Sequence, residues 1–277
     1  MKKIIVPIDF SEYSDYALET AAILAKKHNS EILALHMLEM SEAILTRTGT
    51  DMQMETLFFL QLAEKKFDEF LNKDYLKGIT ITPIVKHFKV FSEVNDVAEE
   101  YGADLVVMGS HGASGIKEFL IGSNTEKVVR HSNIPVLIIK YNPILTDFEH
   151  VVFACDFSDE SITPYINARN LFKKLGSKIH LIYVNLPNES FRSTSEVEAK
   201  VIGFLKMAEG NLDHLGDVKY YSDYTIEQGI LNYANALGAD IIALATHGRT
   251  GLAHLLEGSI SEDVANHSTL PVMTFKI

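Results

Sequence analysis

A chain of 277 residues with 47% hydrophobic content is long enough to bury a large core and to form one or two domains. Its formal charge of −12 and pI near 5.4 argue against nucleic-acid binding, which needs clustered Lys and Arg. Cys155 is the single cysteine, so an intrachain disulfide and a four-Cys metal site are excluded.

No stretch approaches the roughly 18 apolar residues of a membrane span. Asp9 interrupts the apolar run of MKKIIVPIDF before a signal-peptide core is complete. A soluble cytoplasmic protein without membrane contact is therefore expected.

In chain order, residues 4–8 (IIVPI) form an apolar run closed by a turn, as in a strand covered on both faces. Ser11 can cap the helix that follows, in which Ala17, Ala21, Leu24 and Ala25 recur at helical spacing. Residues 32–37 are the next strand. A helix over 53–75 is expected to carry Leu57, Leu60, Ala63, Phe67 and Phe70 on one side. Strands at 81–85, 104–108 and 136–139 alternate with helices at 93–101 and 125–131. Met37, Met40, Met52 and Met54 fall in or beside the long segment after the second strand, which suits a helix packed on its own domain or an adaptable partner surface.

The chain then repeats itself. IIVPIDFS (4–11) lies over VVFACDFS (151–158) at an offset of 147, and GADLVVMGSHG (102–112) over GADIIALATHG (238–248) at 136. HSNIPVLI (131–138) matches HSTLPVMT (267–274) at that second offset. A period this long suits whole domains in tandem. The expected domains are 1–141 and 149–277, joined by a short linker around Asn142-Pro143. Each reads as α/β, a five-stranded parallel sheet with helices on both faces in a Rossmann-like arrangement, with ligands expected beyond the strands' carboxyl ends.

The first copy carries Gly109-x2-Gly112-x9-Gly122-Ser123. Glycine just past a strand lets backbone approach a ligand closely. Gly122-Ser123 falls where the last helix should begin, so free N–H groups and the helix dipole there favour an anion, with Ser123 and Asn124 adding side-chain donors. Neither a Walker loop nor G-x-G-x-x-G is present. Asp9 and Asp156 read either as ligand contacts or as helix-capping residues. His111 and His247 suit a ribose or phosphate contact, or simple solvation.

With VPIDFS, this glycine pattern and the tail EKVVRHSNIPVLII, the chain resembles the universal stress protein family over nearly all its length, and specifically its tandem members and their adenine-nucleotide-binding branch. The resemblance implies an adenine nucleotide alpha hydrolase-like fold and an ATP site in the first domain. By that resemblance Asp9 lies beside the nucleotide, Pro7 and Ile8 line the base pocket, and Met37 marks the strand contacting adenine. Met108, Gly109, His111 and Gly112 surround the ribose and phosphates, and Gly122, Ser123 and Asn124 hold the phosphates. Members often carry Mg²⁺ or Mn²⁺ on the phosphates, a metal the sequence itself does not identify. In the second copy Asp156, Val184, His247, Gly248, Gly258 and Ser259 stay in register, while Ala245 replaces the first glycine.

The resemblance also implies a stress-response regulator rather than an enzyme, with weak ATP hydrolysis at most. A slow ATPase or nucleotide-dependent transferase and a nucleotide-independent interaction module are the alternatives. The strands IPVLII and LPVMTF are expected to pair within the molecule, removing an exposed edge. Further assembly into a homodimer is compatible with the sequence, which names no protein partner.

Overall fold

The computed structural model describes residues 1–38, 50–87, 93–111, 121–142, 148–187, 190–246 and 260–277. The expected site residues Gly112, His247, Gly248, Gly258 and Ser259, and Met40 of the long segment, lie outside these residues. Two compact units are present. The first comprises Met1–Ile116, Gly122–Ile134 and Ile139–Pro143, and the second Lys117–Ile121, Pro135–Ile138 and Ile144–Ile277.

In the first unit, β1 (Lys3–Pro7) is followed by α1 (Glu12–His28) and β2 (Glu31–Leu38). Ile4, Ile5 and Val6 are completely buried, as an apolar run covered on both faces must be. Helix α1 starts because the Ser11 hydroxyl accepts from the Ser14 amide, and it ends at Asn29 in the left-handed region with φ 51°. Its Lys26, Lys27 and His28 suit the negative end of the helix dipole. Helix α2 (Thr50–Leu71) then leads through a 3₁₀ turn at Asp74–Leu76 to β3 (Ile81–His87). The expected helix over 53–75 thus ends earlier, where Asp15 of α1 accepts from Lys73 and Tyr75 and fastens the turn. Leu57 is 57% exposed and does not share the inward face of Ala63 and Phe67.

Helix α3 (Val94–Tyr101), β4 (Leu105–Gly109) and α4 (Ser123–His131) complete this unit. The sheet order is β3-β2-β1-β4, all parallel. Strand β5 (Val136–Ile139) follows, and most of it is counted with the second unit.

That unit also carries β6 (His150–Ala154), a 3₁₀ turn at Asp159–Ser161, α5 (Ile162–Leu175) and β7 (Lys178–Asn185). Next come α6 (Thr194–Glu209), β8 (Lys219–Ser222) and α7 (Ile226–Leu237). The chain closes with β9 (Ile241–Thr246), α8 (Ile260–His267) and β10 (Val272–Lys276). The order is β5-β10-β9-β6-β7-β8. All pairs are parallel except β5 with β10, where Val136, Leu137 and Ile138 face Thr274, Met273 and Val272 antiparallel. This pairing gives the terminal strand of the first sequence copy an antiparallel neighbour in the second unit.

The repeated Gly-Ala-Asp has a structural meaning. Gly102 and Gly238 end α3 and α7 with φ 66° and 69°, a conformation that costs glycine little. Asp104 then accepts from the Lys3 amide at 3.0 Å, and Asp240 from the His150 amide at 2.8 Å, tying the following strand to the start of the first strand of its copy.

Around Phe153, wholly buried, the second core gathers Tyr165 and Phe275 with ring centroids 5.9 and 6.3 Å away. Phe153→Ala is expected to destabilise the second unit by about 3–5 kcal/mol in denaturant titration; a loss below about 1 kcal/mol would show that this core closes around the cavity.

Candidate functional site

The cleft of the first unit is built where the ends of β1 and β4 meet the start of α4. It is lined by Pro7, Asp9, Ser14, Met108, Gly109, His111, Gly122, Ser123, Asn124 and Thr125 and encloses about 60 Å³. Eight of the expected residues are therefore neighbours: Pro7, Asp9, Met108, Gly109, His111, Gly122, Ser123 and Asn124. Ile8 and Met37 are not among them. Their side chains are 0% and 4% exposed in the core, and both backbone groups of Ile8 are engaged, its amide by Leu35 and its carbonyl by His36.

Asp9 lines the cleft, and its Oδ1 accepts from the Ser11 amide at 3.0 Å and from the Ser11 hydroxyl. The capping residue itself is Ser11. Between them Phe10 takes φ 64°, and in the second copy Phe157 takes φ 56°. Left-handed backbone is unfavourable for a bulky side chain. The rings offset it by packing: Phe10 lies 5.5 Å from both Phe67 and Phe70 and 4.6 Å from His36, and Phe157 lies 5.2 Å from Phe204. The Nδ1 of His36 is 2.7 Å from the Ile8 carbonyl, and burial pushes the imidazole pKa below its ordinary value despite that bond. Nothing in residue spacing signals the roles of Phe10, Phe157 or His36; the repeated Asp-Phe-Ser was the available clue.

The start of α4 is held by hydrogen bonds to the carbonyls of Gly109 and Ser110. The Gly122 amide donates to the Ser110 carbonyl at 2.7 Å, so it is not free, contrary to the expectation from sequence. Thr125 Oγ1 donates to the Gly109 carbonyl at 2.9 Å. Gly122 has no side chain to cap the helix. The amides of Ser123, Asn124 and Thr125 consequently meet no acceptor among the described residues, and all three residues line the cleft. His111 stands alongside, its Nδ1 2.9 Å from the Ser110 hydroxyl and its ring 5.1 Å from that of Tyr13. Ser14, Ser110 and Thr125 were not anticipated as part of this site.

Gly109 also proves to be small for a different reason than ligand approach. A methyl there would come within 2.7 Å of the carbonyl carbon and oxygen of Tyr13 in α1. In the second copy the segment matched to Glu12–Ser14 is the 3₁₀ turn Asp159–Ser161, and Ala245 stands in place of Gly109. The methyl group accompanies a changed helix start.

Two further features match across the copies. Ser261 Oγ donates to the Ala245 carbonyl at 3.2 Å, repeating the Thr125 bond. Asp156 Oδ1 accepts from the Ser158 amide at 3.0 Å and from the Ser158 and Ser161 hydroxyls at 2.8 Å each. Burial works to raise its pKa, but these bonds outweigh it and hold the carboxyl below its usual range. Val184 lies near the carboxyl end of β7, its methyls in the space against Gly229 of α7. Asp156, Val184 and Ala245 are the described members of the second expected site.

The profile described as "Universal stress protein family" matches residues 1–140 and 147–276. The chain belongs to the universal stress protein family. It is 32% identical over 154 residues to universal stress protein MJ0577 of Methanocaldococcus jannaschii, covering 50% of this chain and 94% of that protein. To universal stress protein G of Shigella flexneri it is 36% identical over 142 residues, 50% of this chain and 99% of that one. A universal stress protein structure from Archaeoglobus fulgidus superposes over 99% of this chain and 96% of its own, with TM-score 0.65 and 25% identity. The single-domain relatives each span about half of this tandem universal stress protein. No helix among the described residues is long and apolar enough to cross a membrane.

Gly109→Ala is expected to lower stability by about 1–3 kcal/mol, because backbone of α1 has to move. The reciprocal Ala245→Gly is expected to cost at most about 1 kcal/mol. Thermal or denaturant melts check both; equal effects would show that Gly109 is not constrained by Tyr13.

Proposed function

We propose that the first unit binds ATP with its phosphate tail on the amides of Ser123, Asn124 and Thr125, and that the protein acts as a nucleotide-dependent regulator in the stress response. The observation that carries this reading is the trio of uncapped amides opening α4 into the cleft. Oriented N–H groups at a helix start, with the dipole behind them, favour a phosphate. The residues present fit that end of the nucleotide. His111 and the Ser123 and Asn124 side chains add polar groups beside it. Asp9 is the lining carboxylate that would face Mg²⁺ or Mn²⁺ carried on the phosphates, where such an ion supplies charge neutralisation.

About 60 Å³ is room for a phosphate group, well under the ~300 Å³ at the small end of ligand sites. As a regulator, ATP would act by its difference in affinity for two states of the protein. Among the described residues the lining contains no Lys or Arg to steady charge during phosphoryl transfer.

At ATP about 100-fold above its Kd, stabilisation of about 2.7 kcal/mol is expected, a rise of several degrees in melting temperature. Calorimetry should show heat on ATP addition, and phosphate release should match the protein-free rate. No heat and no melting shift would favour a nucleotide-independent interaction module. Phosphate release abolished by Asp9→Ala would favour the slow ATPase.

A further inference from the structure

The second unit contains a larger cavity at the opposite end of β7 from Val184. It encloses about 580 Å³ between one face of α5, the start of β7, the end of α6 and the 3₁₀ turn at Leu215–Asp217. A space of this size accommodates a small organic ligand.

Its wall is organised by a buried carboxylate. The Glu209 side chain is 1% exposed and is held by the Tyr165 hydroxyl, by Arg169 at 2.9 Å and by His214 Nδ1 at 2.7 Å. Burying a carboxylate is costly unless it is fully partnered, and this one draws Arg169, Tyr165 and His214 into fixed positions along the cavity. Lys173 and Lys178 also line it and make no ion pair among the described residues. Against these cations stand only Glu209, already paired with Arg169, and Asp217 among the lining and wall carboxylates. The cavity is thus locally positive in a chain of net charge −12.

Ser177 lines the cavity as well, but its hydroxyl oxygen is buried away from it. At the offset of 147 Arg169 corresponds to Ala22, Lys178 to Glu31 and Tyr165 to Leu18, while Lys173 corresponds to Lys26. Arg169 and Lys178 are therefore particular to the second copy, and Lys173 is shared with the first. The remaining wall is apolar, with Ile166, Ile179, Leu181 and Ala208.

We propose that this cavity binds a small organic oxyanion, a carboxylate or phosphate on an aromatic-sized apolar body. The oxyanion is held by Lys173 and Lys178, and the body lies against the apolar wall. The site is separate from the cleft of the first unit and independent of its nucleotide.

The test is calorimetric titration of the full chain with 1-naphthoate and with 1-naphthyl phosphate, using uncharged 1-naphthol as the control. Binding of at least one of the two anions is expected, and which one binds tells carboxylate from phosphate. Lys173→Glu with Lys178→Glu, both exposed positions, should weaken it about tenfold or more, as loss of charge-assisted bonds does. Ala208→Phe, which narrows the space without touching the charges, should weaken it as well. Circular dichroism melts confirm that the variants fold. No binding of either anion up to about 5 mM, equal binding of 1-naphthol, or unchanged binding in the charge-reversed protein would each overturn the proposal.

Discussion

Three segments converge on Gly109, and the first unit's site depends on that convergence. Helix α1 passes so close at Tyr13 that no side chain fits, Thr125 clamps the start of α4 to the Gly109 carbonyl, and Gly122 donates to Ser110 one residue on. These contacts fix the first turn of α4 at the carboxyl end of the central strands, and they occupy the groups that could otherwise have capped it. What remains is a set of three oriented amides with no acceptor among the described residues. The proposed phosphate binding thus rests on how the helix is anchored, since among the described residues the lining offers no Lys or Arg.

The duplication shows which parts of this arrangement travel together. The clamp from the last helix recurs as Ser261 to Ala245, the left-handed phenylalanine recurs as Phe157, and the Asp-Ser turn recurs around Asp156. The close approach of the first helix does not recur, and neither does the glycine that permits it. A side chain and the backbone facing it have changed as a pair. The second copy has diverged at the other end of its strands too, where Arg169, Lys178 and a buried Glu209 build a cationic cavity with no counterpart set in the first copy's sequence.

Much of this was legible in residue order. Continuous apolar runs such as 4–6 and 105–108 announced strands buried on both faces, and the period of 136 to 147 announced two α/β units, because burial and duplication leave direct marks on sequence. The site was legible as a cluster through its glycines and Asp9. What stayed hidden were facts of contact. That Gly109 accommodates Tyr13, that Gly122 spends its amide on Ser110, and that Ile8 and Met37 face the core all depend on neighbours distant in the chain. Leu57 had the right spacing for a buried stripe, yet the helix carries it clear of the core, since periodicity identifies a face but not how far the partner surface extends.

The central claim is that backbone amides of the first turn of α4 hold the phosphate tail, and one substitution isolates an amide. Ser123 is the first helical residue and Gly122 before it already has φ −64° and ψ 149°, so proline fits there while deleting the N–H. Calorimetric titration of ATP into Ser123→Pro and Ser123→Ala measures the difference that the amide alone makes. Binding in the proline variant is predicted to be weaker than in the alanine variant by about tenfold or more, the loss of a hydrogen bond to a charged group, with both proteins melting alike. Equal affinity in the two variants would contradict the account.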